Sequence, residues 1–287
     1  MIQSVRDQQK KRKDLMGVVG ILAIVLLVGG GFYWLNSTSD PLDENFCSLK
    51  NGPNAVTAVI FDKSEQYSRD QVTDIKTSFG LWLSGQEATT KNREIDLGFF
   101  AEGTLVQLYV TDQEAINRPD GLDPKAQLCV PRDFRDAQGW IDNPDFLKAD
   151  YQKFVSTFTN AIEELLQEAE GTSPIMETFV RISNSESFQA HPTKPHNMFI
   201  ISDMLQSSDN YSHYRAGEGP DWNNFQKKMD GTVYLRPRLN GVKWQVFLAV
   251  REDPRDRGLQ TNRLSQFWVN FFDKAKAEKL EWILIDG

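Results

Sequence analysis

Cysteine and histidine are scarce: two cysteines, Cys47 and Cys129, and three histidines, His191, His196 and His213, stand among 287 residues. Cys-x-x-Cys is absent, so neither a zinc site nor a dithiol redox motif is indicated. His191 and His196 flank a proline-containing stretch, where solvated loop positions suit them better than a metal pair. No histidine accompanies a serine or cysteine in a recognisable nucleophile motif, and no glycine-rich phosphate loop occurs. Basic charge is also in short supply. Lysine and arginine total 32 against 40 acidic residues, for a net charge of −8, which excludes the basic face that a nucleic-acid partner requires. Such an acidic surface suits a cation or a basic partner, or simply keeps the protein in solution. Internal repeats and low-complexity tracts are missing too.

Long hydrophobic runs are limited to one. Arg6, Lys10, Lys11, Arg12 and Lys13 precede an uncharged stretch from Gly17 to Leu35. About 20 apolar residues rising ~1.5 Å each span a bilayer's hydrocarbon core. The basic cluster predicts a cytoplasmic N-terminus with the remainder outside, and Phe32, Tyr33 and Trp34 supply an aromatic belt at the outer interface. A cleaved signal peptide is the alternative, but the run exceeds the usual hydrophobic region and no Ala-x-Ala site follows it. The expected organisation is therefore a cytoplasmic basic tail over 1–16, a transmembrane helix over 17–35, a linker over 36–52 and one folded domain over 53–287. Both cysteines fall in the exterior part, where an oxidising compartment allows a Cys47–Cys129 disulfide; two buried free thiols are the alternative.

The domain alternates strand and helix signals. Ala55 to Phe61 is a continuous apolar and β-branched run, suited to a strand buried on both faces. Ser68-Arg-Asp-Gln71 is a capping box, with Val72, Ile75, Phe79 and Trp82 at helical spacing behind it. Leu105 to Val110 and Ala126 to Val130 read as further strands. Asn143-Pro144 opens a long amphipathic helix that Gly171 closes as C′ residue. Thr172-Ser173-Pro174 caps the next helix, followed by strands at Met198–Ile201, Trp244–Val250 and Glu281–Ile285. Between them fall a helix near Trp222–Met229 and one whose apolar face runs through Leu264, Phe267, Trp268, Phe271 and Phe272. This alternation predicts an α/β doubly wound, mostly parallel sheet.

Three of these strand and loop ends carry polar residues in a meaningful order: Val59-Ile-Phe-Asp62-Lys-Ser64-Glu-Gln66, Gly171-Thr172-Ser-Pro, and Met198-Phe-Ile-Ile-Ser202-Asp203. Ligands of open parallel sheets bind beyond the carboxyl ends of the strands, and carboxylates with hydroxyls are hard oxygen ligands suited to Mg²⁺. Taken singly, each residue has a plainer reading as a turn or cap. Together they resemble the von Willebrand factor A (integrin I-like) domain and its metal-ion-dependent adhesion site. The resemblance implies a Rossmann-like fold that binds another protein through Mg²⁺ or Mn²⁺, without covalent chemistry. Asp62, Ser64, Thr172 and Asp203 match the family's ligands. Gln66 stands where the family has serine, and Met204 replaces a small residue.

The segment after Asp203 should border the crevice. It carries Tyr211, His213, Tyr214, Arg215 and Trp222, aromatic and arginine types enriched at interfaces. The expected function is that of a membrane-anchored, extracytoplasmic binding module in a bacterial envelope complex. It would sit in the inner membrane with its domain in the periplasm. A structural subunit with a vestigial metal site is the second reading. An Asp62-nucleophile phosphotransferase is the third, weakened because Ser64 stands where that class needs a second aspartate.

Overall fold

The computed structural model describes residues 19–285, apart from 32, 34–39, 65, 85–96, 112, 114–116, 118–121, 138–142, 168, 170 and 230–236. The chain divides into two units, Met1–Leu42 and Asp43–Gly287. In the first, residues 19–31 are helical, with Val19, Ile21, Leu26 and Leu27 exposed. Among the described residues no helix is long and apolar enough to cross a membrane. Residues 17, 18, 32, 34 and 35 of the expected span, and the basic tail over 1–16, lie outside the described residues.

The second unit is an α/β domain. Six strands take the order β3-β2-β1-β4-β5-β6, where β1 is Ala55–Asp62, β2 Thr104–Thr111, β3 Ala126–Cys129, β4 His196–Ser202, β5 Lys243–Ala249 and β6 Glu278–Ile285. All neighbours pair in parallel except β3, which runs antiparallel to β2. The helices that matter here are α1 Arg69–Leu83, α2 Pro144–Leu165, α3 Ile175–Asn184, α4 Glu186–Gln189, α5 Trp222–Met229, α6 Pro254–Leu259 and α7 Asn262–Lys274.

Side-chain alternation along the strands divides the core in two. Val56, Ala58 and Ile60 face one side with Met198, Ile200, Trp244 and Val246, and are covered by Phe179 of α3 and by Phe267, Trp268 and Phe272 of α7. Val59, Phe61, Phe199, Ile201 and Phe247 face the other side, under Ile75, Phe79 and Trp82 of α1 and Phe154, Phe158 and Ile162 of α2. Strands buried on both faces need continuous apolar runs, which is why these segments show no polar alternation.

The caps follow local sequence. Ser68 Oγ accepts from the Gln71 N–H while Gln71 Oε1 accepts from the Ser68 N–H, so both arms of the capping box form. Asn143 accepts from the Asp145 N–H, with Pro144 in the first turn of α2. Gly171 is not the helix's C′ residue. The helix stops at Leu165, and Gly171 takes its left-handed conformation (φ +66°) in the loop beyond. There its N–H donates to the Ser64 carbonyl, 2.7 Å away.

Cys47 and Cys129 form a disulfide, with Cα atoms 5.1 Å apart. The Cys129 N–H also donates to the Asn45 carbonyl at 2.7 Å, and Asp43 Oδ1 accepts from the Asn45 and Cys47 N–H groups. Residues from Asp43 onward thus belong to the domain, although the composition of 36–52 reads as linker. Closing so long a loop restricts the unfolded chain, so Cys129→Ser should lower stability by about 2–4 kcal/mol in denaturant titration. The folded wild type should release no thiol to a thiol reagent, and titration of free thiols without denaturant would contradict this.

Candidate functional site

The strand order reverses direction between β1 and β4, the place where open α/β sheets form a crevice. Asp62 closes β1 and Asp203 follows β4. Parallel register sets Thr111 opposite Asp62, and Phe61 opposite Ile201 brings Ser202 beside it.

Asp62 is fully buried and each of its carboxylate oxygens accepts two hydrogen bonds. Oδ1 accepts from the Ser64 N–H at 3.1 Å and the Thr111 hydroxyl at 2.8 Å. Oδ2 accepts from the Ser173 hydroxyl at 2.8 Å and the Ser202 hydroxyl at 2.7 Å. Four donors satisfy a carboxylate that burial withdraws from bulk solvent. The Ser64 contribution is therefore its backbone. Thr172 is half-exposed, and the neighbouring Ser173 makes the contact expected of it. Gln66 is exposed and reaches the site only through its carbonyl.

Asp203 is 1% exposed, and Oδ2 accepts from Arg251 Nε at 2.6 Å. Arg251 stands just beyond β5 and is itself 4% exposed. Its Nη1 donates to the Gln66 carbonyl at 3.1 Å, and its guanidinium carbon lies 5.3 Å from the centre of the Tyr67 ring. The Tyr67 hydroxyl donates to the Asp62 carbonyl at 2.6 Å. Gln260 completes the arrangement: Oε1 accepts from the Arg251 N–H, and Nε2 donates to the carbonyls of Asp203 and Ala249. Burial pushes the Asp203 carboxyl up to about 7, against the pull of Arg251 and with a further push from Asp62. Burial works against the charge of Arg251, but Asp203 and Tyr67 outweigh it and raise its pKa. Burial, then Asp62, raises the Tyr67 phenol well above its usual range, so it stays a neutral donor.

This cluster bears directly on Mg²⁺ or Mn²⁺. A divalent ion coordinated by Asp203 would have to displace the guanidinium, and one ligated by Ser173 or Ser202 would compete with Asp62 for the same hydroxyls. Among the described residues no group of three or more His, Cys, Asp or Glu is placed to hold a metal ion. Sequence reading passed over Arg251, Ser173, Ser202, Thr111 and Tyr67. The signal for Arg251 was present, a basic residue closing a buried strand beside an acidic crevice.

The segment after Asp203 does border the site, through an antiparallel bridge between Ser173 and Ser207. Its residues divide sharply. Tyr211 and His213 are 0% and 2% exposed, so neither presents a surface to a partner. Tyr211 stacks on Phe267 with centroids 5.9 Å apart, and its hydroxyl donates to the Gly219 carbonyl. His213 lies edge-on to Phe267 at 4.8 Å. They turn inward because Glu177 of α3 gathers Gln206 Nε2, the Ser208 hydroxyl and Asn210 Nδ2, folding the segment onto α7. Tyr214 and Trp222 are half-buried, Tyr214 beneath Arg255 at 5.0 Å and Trp222 against Phe225 and Phe267. Arg215 alone of the five is exposed, paired with Glu218 at 2.9 Å.

No protein-family model matches the chain, and no curated protein does. Among solved structures, it is similar to an aerotolerance-related membrane protein from Bacteroides fragilis, crystallised with multiple mutations to serines. The identity is 10%, the match covers 81% of this chain and 92% of that one, and the TM-score is 0.39. It is also similar to the human COPII-coat protein Sec24c, at 10% identity over 82% of this chain and 30% of that one, with a TM-score of 0.29. Likenesses this slight carry no argument about the site.

The ion pair yields a clear expectation. Arg251→Met removes the cation that opposes burial at Asp203, leaving the carboxyl either an unpaired buried charge or protonated, and should cost up to about 3–5 kcal/mol in chemical denaturation. Adding Asp203→Leu should recover most of that loss. Two single changes whose costs simply add would show the pair to be uncoupled. His213 gives a second test. Histidine titrates near 6.5 in an unfolded chain, whereas burial pushes His213 down to about 3. As pH falls, the unfolded chain binds the proton first, so this contribution is complete above about pH 6.5 and lost between 6.5 and 3. His213→Phe should flatten the decline of stability across that window, and an unchanged slope would refute the assignment.

Proposed function

We propose that this chain is a membrane-anchored, extracytoplasmic module that assembles with another protein of an envelope complex, and that its switch-point crevice works without a metal ion. The observation that carries the reading is the Asp203–Arg251 pair, 2.6 Å long and buried on both sides. An adhesion-type metal site needs an open coordination position facing the partner. Here the charge of Asp203 is already met by a side chain of the same domain, so the second reading of the sequence, a structural subunit with a vestigial metal site, fits the geometry better than the first.

Two further observations support the proposal. Asp62 has both oxygens engaged by four donors and no exposure, a poor state for a nucleophile, which argues against a phosphotransferase. The Cys47–Cys129 disulfide favours an oxidising compartment, consistent with export of everything after the apolar run.

Fractionation and cross-linking test the reading. Full-length protein should stay with membranes through carbonate extraction, and a reporter fused after Gly287 should be active outside the cytoplasm. A shortened soluble product would remove the anchor. Proteins cross-linked to the chain in cells should be the same with and without chelator. A partner retained only in Mg²⁺ would restore the metal-dependent reading.

A further inference from the structure

The two edges of the sheet are finished differently. β3 is four residues long, and the segment before β1 covers it: the Cys129 N–H donates to the Asn45 carbonyl and the disulfide holds Cys47 alongside. At the other edge stands β6, eight residues long, and among the described residues no strand lies beyond it. Its pairing with β5 shifts register between Trp244 and Gln245, then runs regularly from Glu281 to Ile285. A strand edge of this kind presents a row of N–H and C=O groups, a template for another strand.

The direction of those groups follows from the ladder. The Ile285 carbonyl accepts from the Val250 N–H, so Ile285 turns its backbone toward β5. Alternation directs Ile283 the same way and leaves the N–H and C=O of Trp282 and Leu284 facing outward. The side chains of Trp282 and Leu284 share the α7 face of the sheet. α7 covers β5, where Phe272 stacks on Trp244 with centroids 4.1 Å apart, but it leaves Trp282 half-buried and Leu284 51% exposed. Ile283 and Ile285 point to the opposite face and are buried in the core beneath α1.

We propose that β6 pairs antiparallel with β6 of a second copy of this chain, about a two-fold axis at Ile283. This register sets Trp282 of each copy opposite Leu284 of the other, so their outward N–H and C=O groups meet in closely spaced hydrogen-bonded pairs. The same two side chains, which α7 leaves uncovered, become cross-strand neighbours with Cβ atoms about 5 Å apart. A two-fold interface must be complementary to itself, and here one strand supplies both halves. Charge permits the pairing. Ile283 meets its own counterpart and Glu281 meets Ile285, so no like charges stand opposite one another although the chain is acidic. The paired segment is short beside a standard interface of about 1,600 Å², so the contact is weak in dilute solution. It requires neither the membrane anchor nor the crevice at the other strand ends.

Register-specific cross-linking of the purified full chain, concentrated in detergent under mild oxidation, tests this; Cys47 and Cys129 are already joined and do not compete. Ile283→Cys should give a reducible dimer, because a non-hydrogen-bonded antiparallel pair stands about 4.5 Å apart at Cα, within disulfide reach. Leu284→Cys is the more exposed site but lies a diagonal away from its own counterpart, and should cross-link to itself several-fold less. Mixed with Trp282→Cys chains, it should join them in preference to itself. Adding Leu284→Lys to Ile283→Cys places a charge in the pair and should abolish the dimer without lowering the melting temperature. A folded Ile283→Cys that stays monomeric overturns the pairing. So does a Leu284→Cys dimer as strong as the Ile283→Cys one, which is the mark of random collision. Should Ile283→Cys fail to fold, the mixed pair decides, and the absence of any preference there overturns the proposal. In cells, an Ile283→Cys chain joined to a different protein instead of itself would give the edge to that partner and overturn it too.

Discussion

Two carboxylates close neighbouring parallel strands with almost no exposure, and the carboxyl edge of this sheet depends on how their charge is met. Asp62 and Asp203 solve the problem differently. Asp62 is solvated by hydroxyls and one amide, dipoles without net charge, whereas Asp203 takes a full cation. The difference follows from position. Asp62 lies between β2 and β4, whose strand ends supply Thr111 and Ser202, and Asp203 faces the turn after β5, where the chain has room for an arginine.

Because the donors come from separate loops, the two carboxylates organise the backbone around them. Ser173 is held at once by Asp62 and by its bridge to Ser207, so the loop before α3 and the segment after β4 are joined through one residue. Met204 sits in the left-handed region at φ +59° and is buried. A non-glycine residue there carries strain, compensated by the Ser202 hydroxyl accepting the Met204 N–H and by Trp268 Nε1 donating to its carbonyl.

Most of the fold was legible in sequence because it rests on local rules. The run from Ala55 to Phe61, the Ser68 capping box and the Asn143-Pro144 start each specify their element within a few residues. That the carboxyl ends of β1 and β4 lie together was legible as well, since the resemblance implies that arrangement. What escaped was set by long-range geometry. Thr172 and Ser173 are chemically alike, and only the turn after Gly171 decides which hydroxyl meets Asp62. Arg251 lies 48 residues from Asp203 in sequence, a pairing that no local pattern encodes. Tyr211 and His213 have the composition of an interface, yet Glu177 draws their segment inward, and a buried carboxylate with three side-chain donors leaves no signature in the chain around it.

The disulfide has a mechanical meaning. It encloses a covalent loop of sequence separation 82, and that loop contains β1, α1, β2 and Asp62. A pull arriving along the chain from residue 42 reaches Cys47 first and passes through the sulfur bridge into β3. While the bridge is intact, tension along the covalent chain can pass from Cys47 to Cys129 without running through the backbone of β1, α1 or β2.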